Sequence, residues 1–181
     1  MSEFTIDEHG WCTQAERIPS PNYDARPDGC AIDLLVIHNI SLPPKQFGGP
    51  WISNFFQNQL DADAHPYFQK IAAIEVSSHF LIRRDGALIQ YVSILDRAWH
   101  AGASSWQGRT RCNDFSIGVE LEGADDIPFT GAQYQTLTTL SQTLLQHYPI
   151  KSIAGHSDIA PQRKTDPGPC FEWARYRAIV R

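Results

Sequence analysis

Residues 153–169 read IAGHSDIAPQRKTDPGP and place a histidine (His156), a cation (Lys164) and an aspartate (Asp166) in one short stretch. Apolar residues are sparse there and follow no period of 2 or 3.6, and Pro161, Pro167 and Pro169 exclude a regular helix or central strand. The side chains are therefore candidates for chemistry rather than core. Imidazole and carboxylate are both ordinary zinc ligands, and a catalytic zinc site takes three protein ligands and a water. His156 and Asp166 stand ten residues apart, so sharing one ion requires the loop to fold back, and a third ligand must come from elsewhere.

Residues 31–37, AIDLLVI, are nearly continuously apolar, as expected of a strand buried on both faces, and they end in His38-Asn39. Open α/β sheets bind ligands outside strand ends, which makes His38 the candidate third ligand. The alternative is a hydrogen-bonded histidine at a strand end. Residues 115–121, FSIGVEL, alternate as a second strand, with Ile117, Val119 and Leu121 on one face and Ser116, Gly118, Glu120 and Glu122 on the other. The small residues leave room in front of Glu120, so its carboxylate can act as a base. An outward, solvated glutamate is the competing reading, and it suits Glu122 better.

Other elements must carry these groups. Residues 41–51 form a loop braced by prolines and glycines, and residues 51–60 carry Trp51, Ile52, Phe55, Phe56 and Leu60 at helical spacing. This excursion to residue 75 reads either as a wall or lid beside the site or as a surface helix that simply packs. Residues 76–82 and 88–92 read as an antiparallel pair joined at RDGA, because Asp-Gly suits a hairpin turn. His79, inside the first, is expected to line the pocket rather than to bind metal, with a core position as the alternative. Thr130 and Gln133 form a capping box for a long helix ending before Pro149. Residues 151–154 read as a strand into His156, and residues 171–180 as a closing helix begun by Pro169. Residues 97–113 contain Arg97, Arg109 and Arg111 and no acid, which points to an anionic ligand or, alternatively, to ordinary surface ion pairs.

The sum is an α/β fold: one domain over residues 1–181, with a central mixed β-sheet flanked by helices, and residues 1–30 as an irregular arm over its surface. A net charge of −5 argues against nucleic-acid binding. No signal-peptide or membrane-spanning run occurs, and the four scattered cysteines read as reduced thiols, so a cytoplasmic enzyme without membrane or obligate protein partner is expected.

Six motifs in order, HNISLPPKQFGGPW, HPYF, RRDG, RAWHAG, CNDFSIGVELEG and GHSDIAPQRKTDPGP, resemble the zinc-dependent N-acetylmuramoyl-L-alanine amidases, over residues 17–179. The likeness is to the branch that recycles soluble muropeptides, a group similar in fold to phage amidases and peptidoglycan recognition proteins. It implies Zn²⁺ held by His38, His156 and Asp166, with a zinc-bound water as nucleophile, Glu120 as general base and Lys164 facing the oxyanion. It further implies a 1,6-anhydro-N-acetylmuramyl peptide as small-molecule substrate, cut between lactyl group and L-alanine, with Asn39 and Arg111 touching ligand. Related proteins often use cysteine as third ligand. Asp166 fits the recycling branch, so Cys170 need not bind metal. Glu75 is acidic where a basic or neutral rim is expected. A noncatalytic recognition module or a zinc hydrolase for another amide would share much of this pattern.

Overall fold

The computed structural model describes residues 4–180. Ten strands lie in chain order as β1 (Glu16–Arg17), β2 (Tyr23–Ala25), β3 (Leu34–Ile40), β4 (Phe80–Ile82), β5 (Leu88–Gln90), β6 (Asp96–Ala98), β7 (Ser105–Trp106), β8 (Arg109–Thr110), β9 (Ser116–Glu122) and β10 (Ser152–Gly155). The helices are α1 (Trp51–Phe56), α2 (Gly131–His147), the single turn α3 (His156–Ile159) and α4 (Trp173–Ile179). Six strands make the main sheet in the order β1-β5-β4-β9-β3-β10. It is mixed: β4 and β5 are antiparallel, and the other neighbours are parallel.

Of the apolar run 31–37 only residues 34–37 enter β3, which continues through His38 to Ile40; it lies between two parallel neighbours, so both of its faces need apolar cover. Leu35 and Ile37 join Ile117, Val119 and Leu121 under α2 and α4, where Leu137, Leu140, Leu144 and Tyr176 are buried. On the opposite face, Leu81 and Ile89 pack against Ile52, Phe55 and Phe56 of α1, and Leu34 and Val36 against Cys112, Phe115 and Ile159. Helices thus flank both faces of one mixed sheet. The long helix begins at the expected box: Thr130 Oγ1 accepts from Gln133 N–H, and the Gln133 side chain accepts from Thr130 N–H. The β4–β5 turn closes at RDGA with Gly86 at φ +89°, a conformation glycine adopts without a Cβ clash.

Several elements differ from expectation. The helix of residues 51–60 stops at Phe56, because Asn58 turns into the left-handed region (φ +59°) and exchanges two amide hydrogen bonds with Asn22. Pro169 does not begin the last helix: Phe171 N–H bonds Gly168 O and Cys170 N–H bonds Asp125 O, holding a turn, so α4 starts at Trp173. The segment after Gly155 opens with one helical turn, α3, before its prolines break it. Within residues 1–30, β1 pairs with β5 and β2 with β6, while the half-buried Arg26 guanidinium donates to the carbonyls of Ile94, Asn113, Asp114 and Ser116. The four cysteines are unpaired. No helix among the described residues is long and apolar enough to cross a membrane.

Glu122 is a correction. Instead of facing solvent it is 2% exposed, accepting from Gly48 N–H (2.6 Å), Arg84 N–H (3.1 Å) and Arg83 Nη1 (3.3 Å). The 41–50 loop covers it, and alternation within β9 could not show that. Replacing Glu122 by alanine strands those donors at a buried site. The expected cost is about 3 kcal/mol, from the penalty of breaking a buried ion pair. At roughly 2–4 °C per kcal/mol for a chain of this size, Tm drops by about 6–12 °C in a thermal melt. An unchanged Tm would show that the pair is not a structural anchor.

Candidate metal centre and active-site cleft

In the sheet register His38 of β3 and Glu120 of β9 are direct neighbours, and alternation puts both on the face away from α2. Gly155 of β10 pairs with Ile37, so His156, the next residue, emerges beside them at the same ends of three parallel strands. The loop that follows does fold back: Ser157 N–H bonds Asp166 O at 2.9 Å. Residues far apart in sequence therefore converge. His38 Nδ1 and His156 Nδ1 are 3.0 Å apart, and each is 3.2 Å from Asp166 Oδ2. The donor atoms of all three lie within 4.8 Å of one another.

The outer ring nitrogens decide what the inner ones can do. His156 Nε2 is 3.2 Å from the Ala101 carbonyl, which can only accept, so the proton sits on Nε2 and Nδ1 presents a lone pair. His38 Nε2 is 2.9 Å from His100 Nδ1, and His100 Nε2 is 3.0 Å from Ser116 Oγ. With His38 donating to His100 and His100 to Ser116, His38 Nδ1 is bare as well. Two lone pairs and a carboxylate oxygen then face one buried point, an arrangement that a cation between them stabilises. The donor set fits a divalent metal, zinc among them. Burial lowers His38 to about 4, against the pull of Asp166, which keeps the imidazole neutral as a ligand must be.

Glu120 stands beside this point, with Oε1 at 4.0 Å from His38 Nδ1 and Oε2 buried without a partner among the described residues. Burial pushes its carboxyl well above the ordinary value. The charge of Asp166 acts in the same direction, and Lys164 opposes it. Lys164 lines the same cavity, which measures about 410 Å³ and has His38, His156 and Asp166 in its wall. Leu42, Phe55, Tyr67, Ile71 and Ile74, most of them from the 51–75 excursion, form its apolar side. That excursion is thus a wall of the cleft.

Asn39 also lines the cavity, but its Nδ2 donates to Asp125 Oδ1 (2.6 Å) and Pro167 O (3.2 Å). Arg111 sits at φ +61° before the 112–114 turn, largely exposed and 3.3 Å from Asp114, and it does not line the cavity. All three arginines in the 97–113 segment meet carboxylates, Arg111 by its single contact. Arg97 clamps Asp24 with two bonds of 2.6 Å and reaches Asp114 at 2.9 Å, while Arg109 holds Asp33 at 2.7 Å. Exposed Glu75 lies on the rim of an adjoining cleft that Lys164 and His156 share.

His79 is a core residue rather than a pocket wall. Its Nδ1 accepts from Gly118 N–H (3.0 Å), its Nε2 faces Asp96 O (3.1 Å), and burial lowers it to about 3. The residue that sequence reasoning passed over is His100. Gly118 is small for its sake, since a Cβ there would lie 2.5 Å from His100 Cγ. A glycine inside a strand marks a close approach, and that was the available signal.

Fold and site define a class: the chain belongs to the N-acetylmuramoyl-L-alanine amidase family, a model of which matches residues 28–169, and it is an enzyme of that class. The relative in Escherichia coli (strain K12), the 1,6-anhydro-N-acetylmuramyl-L-alanine amidase AmpD, is 58% identical over 175 residues, covering 96% of each chain. The crystal structure of a selenomethionine AmpD derivative is 57% identical, covers 98% of this chain and 99% of its own, and superposes with a TM-score of 0.95. A more distant structure is the E. coli amidase AmiD in complex with the substrate anhydro-N-acetylmuramic acid-L-Ala-D-γ-Glu-L-Lys. It is 31% identical, covers 96% of this chain and 64% of its own, and has a TM-score of 0.60.

Proposed function

We propose that the protein hydrolyses the amide bond between the lactyl group of 1,6-anhydro-N-acetylmuramic acid and L-alanine in muropeptides released for peptidoglycan recycling. The observation that carries the reading is the convergence of His38, His156 and Asp166 on one point, with Glu120 and Lys164 beside it in the same cavity. The substrate class comes from the near-full-length likeness to 1,6-anhydro-N-acetylmuramyl-L-alanine amidases.

Zn²⁺ would be held by His38 Nδ1, His156 Nδ1 and an Asp166 oxygen, where it would polarise the scissile carbonyl and acidify the attacking water. Glu120 takes the proton of that water as its oxygen bonds to the lactyl carbonyl carbon. When the C–N bond breaks, Glu120 passes the proton to the departing amine of L-alanine, which restores the carboxylate. A carboxyl raised by burial holds that proton between the two steps. The Lys164 ammonium faces the oxyanion, and such a preorganised donor contributes on the order of 3 kcal/mol. The apolar wall around Leu42, Tyr67, Ile71 and Ile74 excludes water and takes the less polar faces of the ligand. Asn39, with both amide protons engaged by Asp125 and Pro167, meets the substrate through Oδ1 and so accepts from a substrate N–H. Arg111, exposed and held by one 3.3 Å contact, can swing to a stem-peptide carboxylate.

Mass-spectrometric product analysis on 1,6-anhydro-muramyl tripeptide tests this reading, using protein as purified, after chelation, and after zinc is restored. Release of free tripeptide that stops on chelation and returns with zinc is the expected result. A zinc-loaded protein that leaves the substrate intact would refute the assignment.

A further inference from the structure

We infer that the dipeptide His100-Ala101, pinned by the side chain of Asn113, is the shared outer support of both metal-binding histidines. This rests on the reading that His38 and His156 hold zinc. The two rings come from β3 and α3, 118 residues apart, yet their outer nitrogens are met by consecutive residues. His38 Nε2 is met by the His100 ring at 2.9 Å, and His156 Nε2 by the Ala101 carbonyl at 3.2 Å. Both backbone N–H groups of that dipeptide donate to one atom, Asn113 Oδ1, at 3.1 and 2.8 Å.

The pair is braced from other sides as well. Arg163 Nη2 donates to the Ala101 carbonyl at 2.6 Å, filling its second lone pair. Ser116 Oγ meets His100 Nε2 at 3.0 Å, and Gly118 leaves the space that the ring occupies. Asn113 itself is fixed through its carbonyl, which accepts from Arg26 at 3.2 Å. A hydrogen bond to the outer nitrogen of a ligand histidine fixes its ring orientation and basicity, and loss of such a partner typically weakens metal binding by roughly 10–100-fold. Here one amide oxygen sets the position of both partners. Asn113 is thus a positioning residue whose loss disturbs two ligands together.

The test compares zinc affinity, by chelator competition, and the visible absorption of the Co²⁺-loaded protein. The forms are wild type, Asn113→Ala, Asn113→Asp, Ser116→Ala and Asp166→Ala. Asn113→Ala is expected to weaken zinc by about 10–100-fold and to alter the Co²⁺ spectrum. Asn113→Asp, which keeps an acceptor oxygen, restores both. A folded Asn113→Ala with wild-type affinity and spectrum overturns the inference, as does an Asn113→Asp that is no better than alanine. If Asn113→Ala fails to fold, Ser116→Ala decides. It removes one oxygen and frees the His100 ring, so zinc affinity must fall, by about tenfold or less, and an unchanged value overturns the proposal. Failure of the zinc reading is distinguishable: wild type would then take up no metal, or Asp166→Ala would bind it as tightly as wild type, and the support role would fall with it.

Discussion

Glu120→Gln is expected to retain zinc at the wild-type stoichiometry while kcat drops by roughly 10²–10⁴, the usual worth of a positioned general base. Glutamine preserves the shape of the side chain but cannot accept a proton from water. Metal content and kcat measured on the same preparation check the prediction. Because Asp166 and both imidazoles are untouched, metal affinity has no reason to change, and a variant that keeps more than a tenth of wild-type turnover would remove Glu120 from its role. The same substitution reads out a second quantity. Glu120 is 8% exposed, with Oε2 lacking a partner among the described residues, so its charge costs folding free energy. Neutralising it is expected to leave Tm unchanged or raise it. Loss of activity without loss of stability is the signature of a group retained for chemistry.

The site was partly legible in the sequence, and the divide has a physical cause. A continuous apolar run leading into His38-Asn39 can be read locally, because a strand buried on both faces is apolar where it crosses the core, and its first polar residues, still within β3, mark where it reaches the site. The face of β9 that carries Glu120 follows from period 2 alone. What could not be read depends on elements distant in sequence. The small residues of β9 suggest space before Glu120, but at Gly118 the His100 ring, brought in by another loop, fills it. Arg97 and Arg109 look available for an anion in the sequence because Asp24 and Asp33, which occupy them, lie 73 and 76 residues away. Glu122 shares a face with Glu120 but not its environment, since Gly48 of the 41–50 loop donates to Glu122 whereas Glu120 Oε2 has no partner among the described residues. Long-range partners decide whether a charged residue is a tool or an anchor, and no local pattern encodes them.

Asp166→Ala separates the ligand from the base. The loop that returns Asp166 to the site does not depend on its carboxylate: Ser157 N–H bonds the Asp166 carbonyl, and Asn39 bonds the Pro167 carbonyl. The variant is therefore expected to fold. Without the carboxylate, His38 Nδ1 and His156 Nδ1 face each other at 3.0 Å with one ligand missing and the compensating negative charge gone. Two neutral nitrogens do not complete a catalytic zinc site, which takes three protein ligands. Zinc content should fall to background, and hydrolysis with it, although Glu120 and Lys164 remain in place. The contrast with Glu120→Gln is the informative measurement, made by metal analysis after gel filtration in zinc-free buffer. Metal lost in one variant and kept in the other assigns Asp166 to binding and Glu120 to proton transfer. Equal loss in both would mean that Glu120 belongs to the metal site, and the division of labour between the two carboxylates would have to be redrawn.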